Sequence, residues 1–290
     1  MANPYFAFDF KCDLPPLEQS SVPVFILSSI WRSGSTLLQR SLCTDSSIMI
    51  WGEPYADCNL IFSMSQSAKG LLQKKWPTAD NYAWKCPWVF DAPHEHFIAN
   101  IYPEPTFIRG AYRQFFDHLF GAGASFKGFS RFGAKFVRLG LDEAHFLQWI
   151  YPDARFLFLV RNPWDCWRSY KGYKWTYRYP KPPVIKVQQF ATLWQKQTSE
   201  LLQYQSGNSG WIRYEDFLDE SFDWDRLRQF CELPNITKSA LEKRIMGVHY
   251  EPTPVEEEEL GVVSYICGDL ANTLGYFGLK NTDVSLKPFG

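Results

Sequence analysis

The first regular pattern along the chain is a continuous apolar run, Val24-Phe25-Ile26-Leu27, set off by Pro23. An unbroken run of this length suits a strand buried on both faces, as in a parallel sheet. A small polar turn from Ser28 to Thr36 follows, and then Leu37-Leu38-Gln39-Arg40-Ser41-Leu42 reads as helix. Ile48-Met49-Ile50-Trp51 predicts a second strand, ending at Gly52-Glu53-Pro54. Leu141 to Ile150 predicts a helix that stops before Pro152, and Arg155-Phe156-Leu157-Phe158-Leu159-Val160 is the strongest strand pattern in the chain. The polarity changes at Arg161-Asn162-Pro163. Asn162 suits an N-cap, Pro163 the first helical position and Asp165 the third, so a helix starts there. A helix from about Val187 to Tyr204, a short strand Trp211-Ile212-Arg213-Tyr214 and a mostly helical remainder complete the pattern. The acidic run Glu256 to Glu259 reads as a solvated face.

Other stretches carry weaker signals. Residues 1–22, with Pro4, Pro15 and Pro16, read as an irregular arm lying on the domain. From Tyr55 to Gly133 aromatics, prolines and glycines mix, with weak helical periods near 59–74 and 109–120. These are expected to be helices and loops covering the C-terminal edge of the sheet, where ligands of open α/β sheets bind. Tyr173 to Pro183 is a basic, aromatic, proline-rich loop. With no internal repeat and no linker, the pattern predicts an α/β fold: a P-loop-like three-layer domain with a central parallel β-sheet flanked by helices. The arm is 1–22 and the single domain 23–290.

Composition narrows the class of function. At 290 residues and 46% hydrophobic, the chain can bury a large core. A net charge of −1 gives no sign of a nucleic-acid or anionic-membrane partner. The seven cysteines are odd in number and form no CxxC pair, so scattered thiols in a reducing compartment are expected, not disulfides or a zinc knuckle. No basic n-region precedes an apolar stretch, and no run of about 18 apolar residues occurs. A cytoplasmic location is the expectation. The 18% aromatic content points to an aromatic core, with some rings left to line a pocket.

Candidate chemistry lies at the two strand–loop–helix transitions. A helix N-terminus presents unpaired N–H groups and the positive end of a dipole. At the first transition Gly34 lets backbone approach an anion closely, Ser33, Ser35 and Thr36 add hydroxyls, and Arg32 adds a planar charged fork. This is an anion site. It differs from the nucleotide-triphosphate loop, GxxxxGK followed by Ser or Thr. Ser29 stands in place of the first glycine and Ser35 in place of the lysine, while Thr36 remains. The missing lysine argues against ordinary ATP or GTP chemistry.

Ile30-Trp31-Arg32-Ser33-Gly34-Ser35-Thr36-Leu37-Leu38 resembles the 5′-phosphosulfate loop of sulfotransferases that use 3′-phosphoadenosine 5′-phosphosulfate (PAPS), in the "PRSGST-LL" form of carbohydrate, protein-tyrosine and bacterial members. Trp31 stands where proline is usual. Phe156 to Asp165, running on to Ser169-Tyr170, is similar to the family's 3′-phosphate motif. By that resemblance Arg161 and Ser169 grip the 3′-phosphate. Ile212-Arg213-Tyr214-Glu215-Asp216-Phe217-Leu218 is similar to the "RYEDL" segment, whose tyrosine, here Tyr214, lies near the nucleotide. Cys267 to Tyr276 resembles the "LGY" helix end, whereas the "RKGxxG" loop of the soluble hormone and phenol enzymes is not found.

The resemblance implies transfer of a sulfuryl group from PAPS to a small-molecule or carbohydrate acceptor, with adenosine 3′,5′-bisphosphate as the leaving product and no metal. As in phosphoryl transfer, catalysis is then positioning plus electrostatics. Arg32 is the first candidate to meet the growing charge, and Lys135 the second, with Lys85 as a rival. Glu53 fits the family's glutamate base, with His94 and His96 as alternatives. The HxH spacing of that pair supplies two metal ligands without a third. A P-loop kinase acting on a small molecule, or a non-catalytic nucleotide-binding protein, is the competing reading.

Overall fold

The computed structural model describes residues 22–54, 58–72, 91–95, 105–172, 183–243 and 254–276. A five-stranded sheet runs through it in the order β2-β3-β1-β4-β5, with every pairing parallel. The strands are β1 (Val24–Ser28), β2 (Ile48–Gly52), β3 (Arg131–Val137), β4 (Arg155–Val160) and β5 (Ser209–Arg213). Every residue of the middle strand β1 is buried. This is why its sequence shows an unbroken apolar run and no alternation.

Successive side chains leave opposite faces of a strand. Val24, Ile26, Leu157, Leu159 and Ile212 meet Leu38 and Leu42 of α1 (Ser35–Leu42), and residues of the C-terminal half, on one face. The other face is aromatic: Phe25, Phe132, Phe136, Phe156 and Phe158. It packs against α2 (Leu60–Leu72), α3 (Pro105–Phe116) and α5 (Leu141–Ile150). Between α3 and α5 the chain passes through a π-helical segment, Asp117–Ala122, and a short α4 (Gly123–Phe126). Rings on this face lie close, with Phe25 and Phe156 centroids 5.5 Å apart, so many of the aromatics are core. A third cluster closes over the C-terminal ends of β1 and β4. There α6 (Pro163–Lys171), α7 (Val187–Leu201) and α11 (Glu257–Thr273) gather around Trp167, Phe190 and Trp194. The short helices α8 (Tyr214–Leu218), α9 (Trp224–Cys231) and α10 (Ser239–Glu242) belong to the α1 side. The architecture is the three-layer α/β domain expected from the pattern.

Two features differ from the sequence reading. β3 was not anticipated, because Arg131, Gly133 and Lys135 break its apolar pattern. Each exception has a local cause. Arg131 starts the strand at the lower edge, where its guanidinium donates to the carbonyls of Val22 (2.8 Å) and Cys231 (2.9 Å). At Gly133 a Cβ would lie 2.2 Å from the Val24 carbonyl oxygen. The second difference concerns α2 and α3. They form near 59–74 and 109–120, but they cover the aromatic face of the sheet rather than its C-terminal edge.

The strand order fixes where a ligand can sit. After β1 the chain heads toward β2, and after β4 it heads toward β5, so connections diverge between these two neighbouring strands. A crevice opens at such a switch point, outside the carboxyl ends of the strands.

Candidate active site

At the end of β1 the backbone turns through Arg32, φ 65°, and Gly34, φ 90°, before entering α1. Gly34 is confined as well as left-handed: a Cβ there would lie 2.1 Å from Cδ2 of Tyr214. The first N–H groups of α1, on Ser35 and Thr36, have no intrahelical acceptor and face the end of the sheet. The side chain of Arg32 crosses to the next loop, where its Nε donates to Ser169 Oγ at 2.9 Å.

That next loop joins β4 to α6. Asn162 caps the helix as the sequence predicts, its Oδ1 accepting from the N–H groups of Trp164 (3.0 Å) and Asp165 (3.3 Å). Arg161 reaches back: its Nη1 donates to the Arg32 carbonyl at 2.9 Å, and its guanidinium lies 4.4 Å from the centre of the Tyr214 ring. Three further groups hold the turn. Trp194 Nε1 donates to the Arg161 carbonyl (3.1 Å), Glu215 Oε1 accepts from the Asn162 N–H (3.0 Å), and the Cys166 thiol lies against the carbonyls of Arg32 (3.7 Å) and Arg161 (3.9 Å). Burial pushes that thiol up to about 12, so it stays protonated and unreactive. The two loops, far apart in sequence, are thus a single construction. Ser29 Oγ, Ser33 Oγ and Arg161 Nε are buried in it without a hydrogen-bond partner among the described residues.

Across β3 from the first loop stands Glu53. Gly52 pairs with Lys135, and the Glu53 N–H donates to the Lys135 carbonyl at 2.8 Å. The side chains pair too, Lys135 Nζ donating to Glu53 Oε1 at 2.6 Å. The Lys135 side chain is 6% exposed and that of Glu53 31%, so the carboxylate is the open member of the pair. Glu53 has φ 46°, and Arg138, just past β3, has φ 70°. Arg32, Glu53 and Arg138 therefore place left-handed backbone, each without a glycine, after three adjacent strands. Such residues carry about 1–3 kcal/mol of strain each and cluster at ligand and active sites.

Of the residues singled out in the sequence, the fold brings together Arg32, Ser33, Gly34, Ser35, Thr36, Arg161, Ser169 and Tyr214 on the β1–β4–β5 side. Glu53 and Lys135 form a pair on the β2–β3 side of the same edge. His94 stands in an exposed 3₁₀ turn, Pro93–Glu95, 3.7 Å from the Glu95 carboxylate. His96, Lys85 and the loop 173–182 lie outside the described residues. Among the described residues no group of three His, Cys, Asp or Glu side chains is placed to hold a metal ion, and no helix is long and apolar enough to cross a membrane. Arg138 escaped the sequence reading because its place depends on β3, which the pattern concealed. A groove of about 540 Å³ against β5 is lined by Arg213, Glu215, Asp216, Asp219, Asp223 and Arg226 among others, and its Glu215 is the residue that accepts from the Asn162 N–H.

The chain is similar in structure to sulfotransferase STF9 from Mycobacterium avium, at 11% identity and a TM-score of 0.45, over 93% of this chain and 79% of that one. It is also similar to the sulfotransferase domain of the Synechococcus PCC 7002 olefin synthase (13% identity, TM-score 0.41, 87% of this chain and 97% of that one). A third likeness is to the sulfotransferase domain from the curacin biosynthetic pathway (16% identity, TM-score 0.41, 87% and 99%). No curated protein matches the chain. The sequence model of the sulfotransferase family matches residues 23–238. That span takes in all five strands and both loops of the candidate site, and by it the chain belongs to the sulfotransferase family.

Proposed function

We propose that this protein transfers the sulfuryl group of PAPS to a hydroxyl, or an amine or amide nitrogen, of a small-molecule or carbohydrate acceptor. The observation that carries the reading is the direct contact between the two anion loops, Arg161 Nη1 on the Arg32 carbonyl and Arg32 Nε on Ser169 Oγ. PAPS bears phosphate on both sides of one ribose and so calls for two cationic sites at a short, fixed separation. A nucleoside triphosphate calls for a loop lysine, and Ser35 stands in its place.

In this reading Arg32, Ser33, Gly34, Ser35 and Thr36 hold the 5′-phosphosulfate, Arg161 and Ser169 hold the 3′-phosphate, and Tyr214 packs beside the nucleotide. Glu53 takes the acceptor proton. The acceptor oxygen forms a bond to sulfur while the bond from sulfur to the bridging oxygen breaks, and that oxygen's electron pair leaves with adenosine 3′,5′-bisphosphate. Arg32 and Lys135 meet the growing negative charge, so the step calls for no metal. The ion pair gives Lys135 a second part. Once the proton reaches Glu53, the carboxyl is neutral and the lysine charge turns to the sulfuryl and leaving oxygens.

The test is Glu53→Gln, assayed with an acceptor found by screening for the mass gain of one sulfate. Turnover should fall by about 10²–10⁴, the usual contribution of a general base, with affinity for the bisphosphate unchanged. Wild-type turnover in this variant would remove Glu53 from the mechanism.

A further inference from the structure

We propose that Arg138 is a positioning residue of the donor loop and acts through Trp31. The inference rests on reading residues 29–36 as the 5′-phosphosulfate loop. Where related loops have proline, with its φ locked, this chain has Trp31, which has no such stiffness. The next residue, Arg32, must nevertheless hold φ 65°. The contacts of Trp31 supply the restraint. The residue is 4% exposed, and its ring meets two groups. One is the ring of Tyr170 on α6, centroid to centroid 5.5 Å, and the other is the guanidinium of Arg138, 4.7 Å from the ring centre. The second distance is within the range of a cation–π contact, about 6 Å.

Arg138 is itself held firmly. Its N–H donates to the Ser28 carbonyl at 3.1 Å, extending the β1–β3 pairing past the strand end, and its carbonyl accepts from Gln197 Nε2 of α7 at 2.6 Å. Its backbone is left-handed, φ 70°, where glycine or asparagine is the usual occupant. An arginine there takes the strain and gains the contact with Trp31. Tyr170 is the neighbour of Ser169, the acceptor for Arg32 Nε. Trp31 and Arg32 are thus tied to one turn of α6, while Arg138 ties the same loop to β3 and α7. The clamp replaces the rigidity of proline and sets the direction of the Arg32 side chain.

The test is a double-mutant cycle read by calorimetric affinity for adenosine 3′,5′-bisphosphate in metal-free buffer, well below the melting temperature. Arg138→Met and Trp31→Leu should each weaken binding by about tenfold, the scale of a partly desolvated cation–π contact. The double variant should add no more than about threefold to either. Arg138→Lys, which keeps a cation over the ring, should stay within about threefold of wild type. Penalties that multiply to about a hundredfold in the double variant would overturn the proposal, since the residues would then act independently. So would an Arg138→Met protein that melts lower but binds as wild type does. If Trp31→Leu does not fold, the comparison of Arg138→Met with Arg138→Lys decides, and equal affinities overturn it. Failure of the wild-type protein to bind the bisphosphate would instead overturn the donor-site reading beneath the proposal.

Discussion

Tyr214 occupies the space that any side chain at position 34 would need, and the Arg161 guanidinium lies over its ring at 4.4 Å. One residue from the end of β5 thereby sets the spacing of both loops. Gly34→Ala has two faults: a methyl group 2.1 Å from Tyr214 Cδ2 and a φ of 90° that L-residues avoid. It should lose about 1–3 kcal/mol of stability and most of its affinity for the bisphosphate, measured by denaturant melts and calorimetry. Binding at wild-type strength would show that the loop tolerates a shifted Tyr214. Local chemistry alone marked Arg32, Ser33, Gly34, Ser35 and Thr36 as a candidate anion loop. It could not show that Arg32 reaches Ser169, or that Glu53 pairs with Lys135. Those residues are far apart along the chain, and only strand pairing brings them together.

At the scale of elements, α5 shows what a local pattern does and does not tell. Leu141–Ile150 is the span the sequence predicts, and Glu143 Oε2 accepts from the Gly140 N–H at 2.8 Å to fix its start. The burial of its polar side chains was not legible: Glu143, His145 and Gln148 are all inside. His145 stacks on Tyr204, 5.4 Å between ring centres. Burial, opposed by nearby Asp142 and reinforced by Lys69, lowers it from 6.5 to about 4. The unfolded chain therefore binds a proton between those values that the folded chain refuses. Stability is full above pH 6.5 and falls as pH drops toward 4, by about 3 kcal/mol from this group. Glu143, raised by burial, acts in the opposite sense, so the effect of His145 is read by difference. Urea melts of wild type and His145→Phe should diverge by about this amount between pH 7 and pH 4, with the variant less acid-sensitive. Parallel profiles would contradict the assignment. β3 failed to show in the sequence for a related reason. Its exceptions, Arg131 and Gly133, are explained by groups from β1, β2 and the C-terminal half that lie beside it only in the fold.

In the whole molecule, the order β2-β3-β1-β4-β5 spreads the candidate site along one edge. The proposed base lies at the β2–β3 end and the proposed donor loops at the β1–β4–β5 end. The strand–loop–helix pattern around β1 and β4 was enough to anticipate the layered fold. The order of strands was not, because each pairing joins residues far apart along the chain and leaves no local signal. On the proposed reading the two contacting loops hold one nucleoside bisphosphate without a metal. Thermal unfolding with adenosine 3′,5′-bisphosphate in the presence of a chelator tests it. At about 100 times the dissociation constant the ligand should add roughly 2.7 kcal/mol of stability to wild type and little to Arg161→Ala. No response to the bisphosphate, with stabilisation by ATP and magnesium in its place, would contradict the account.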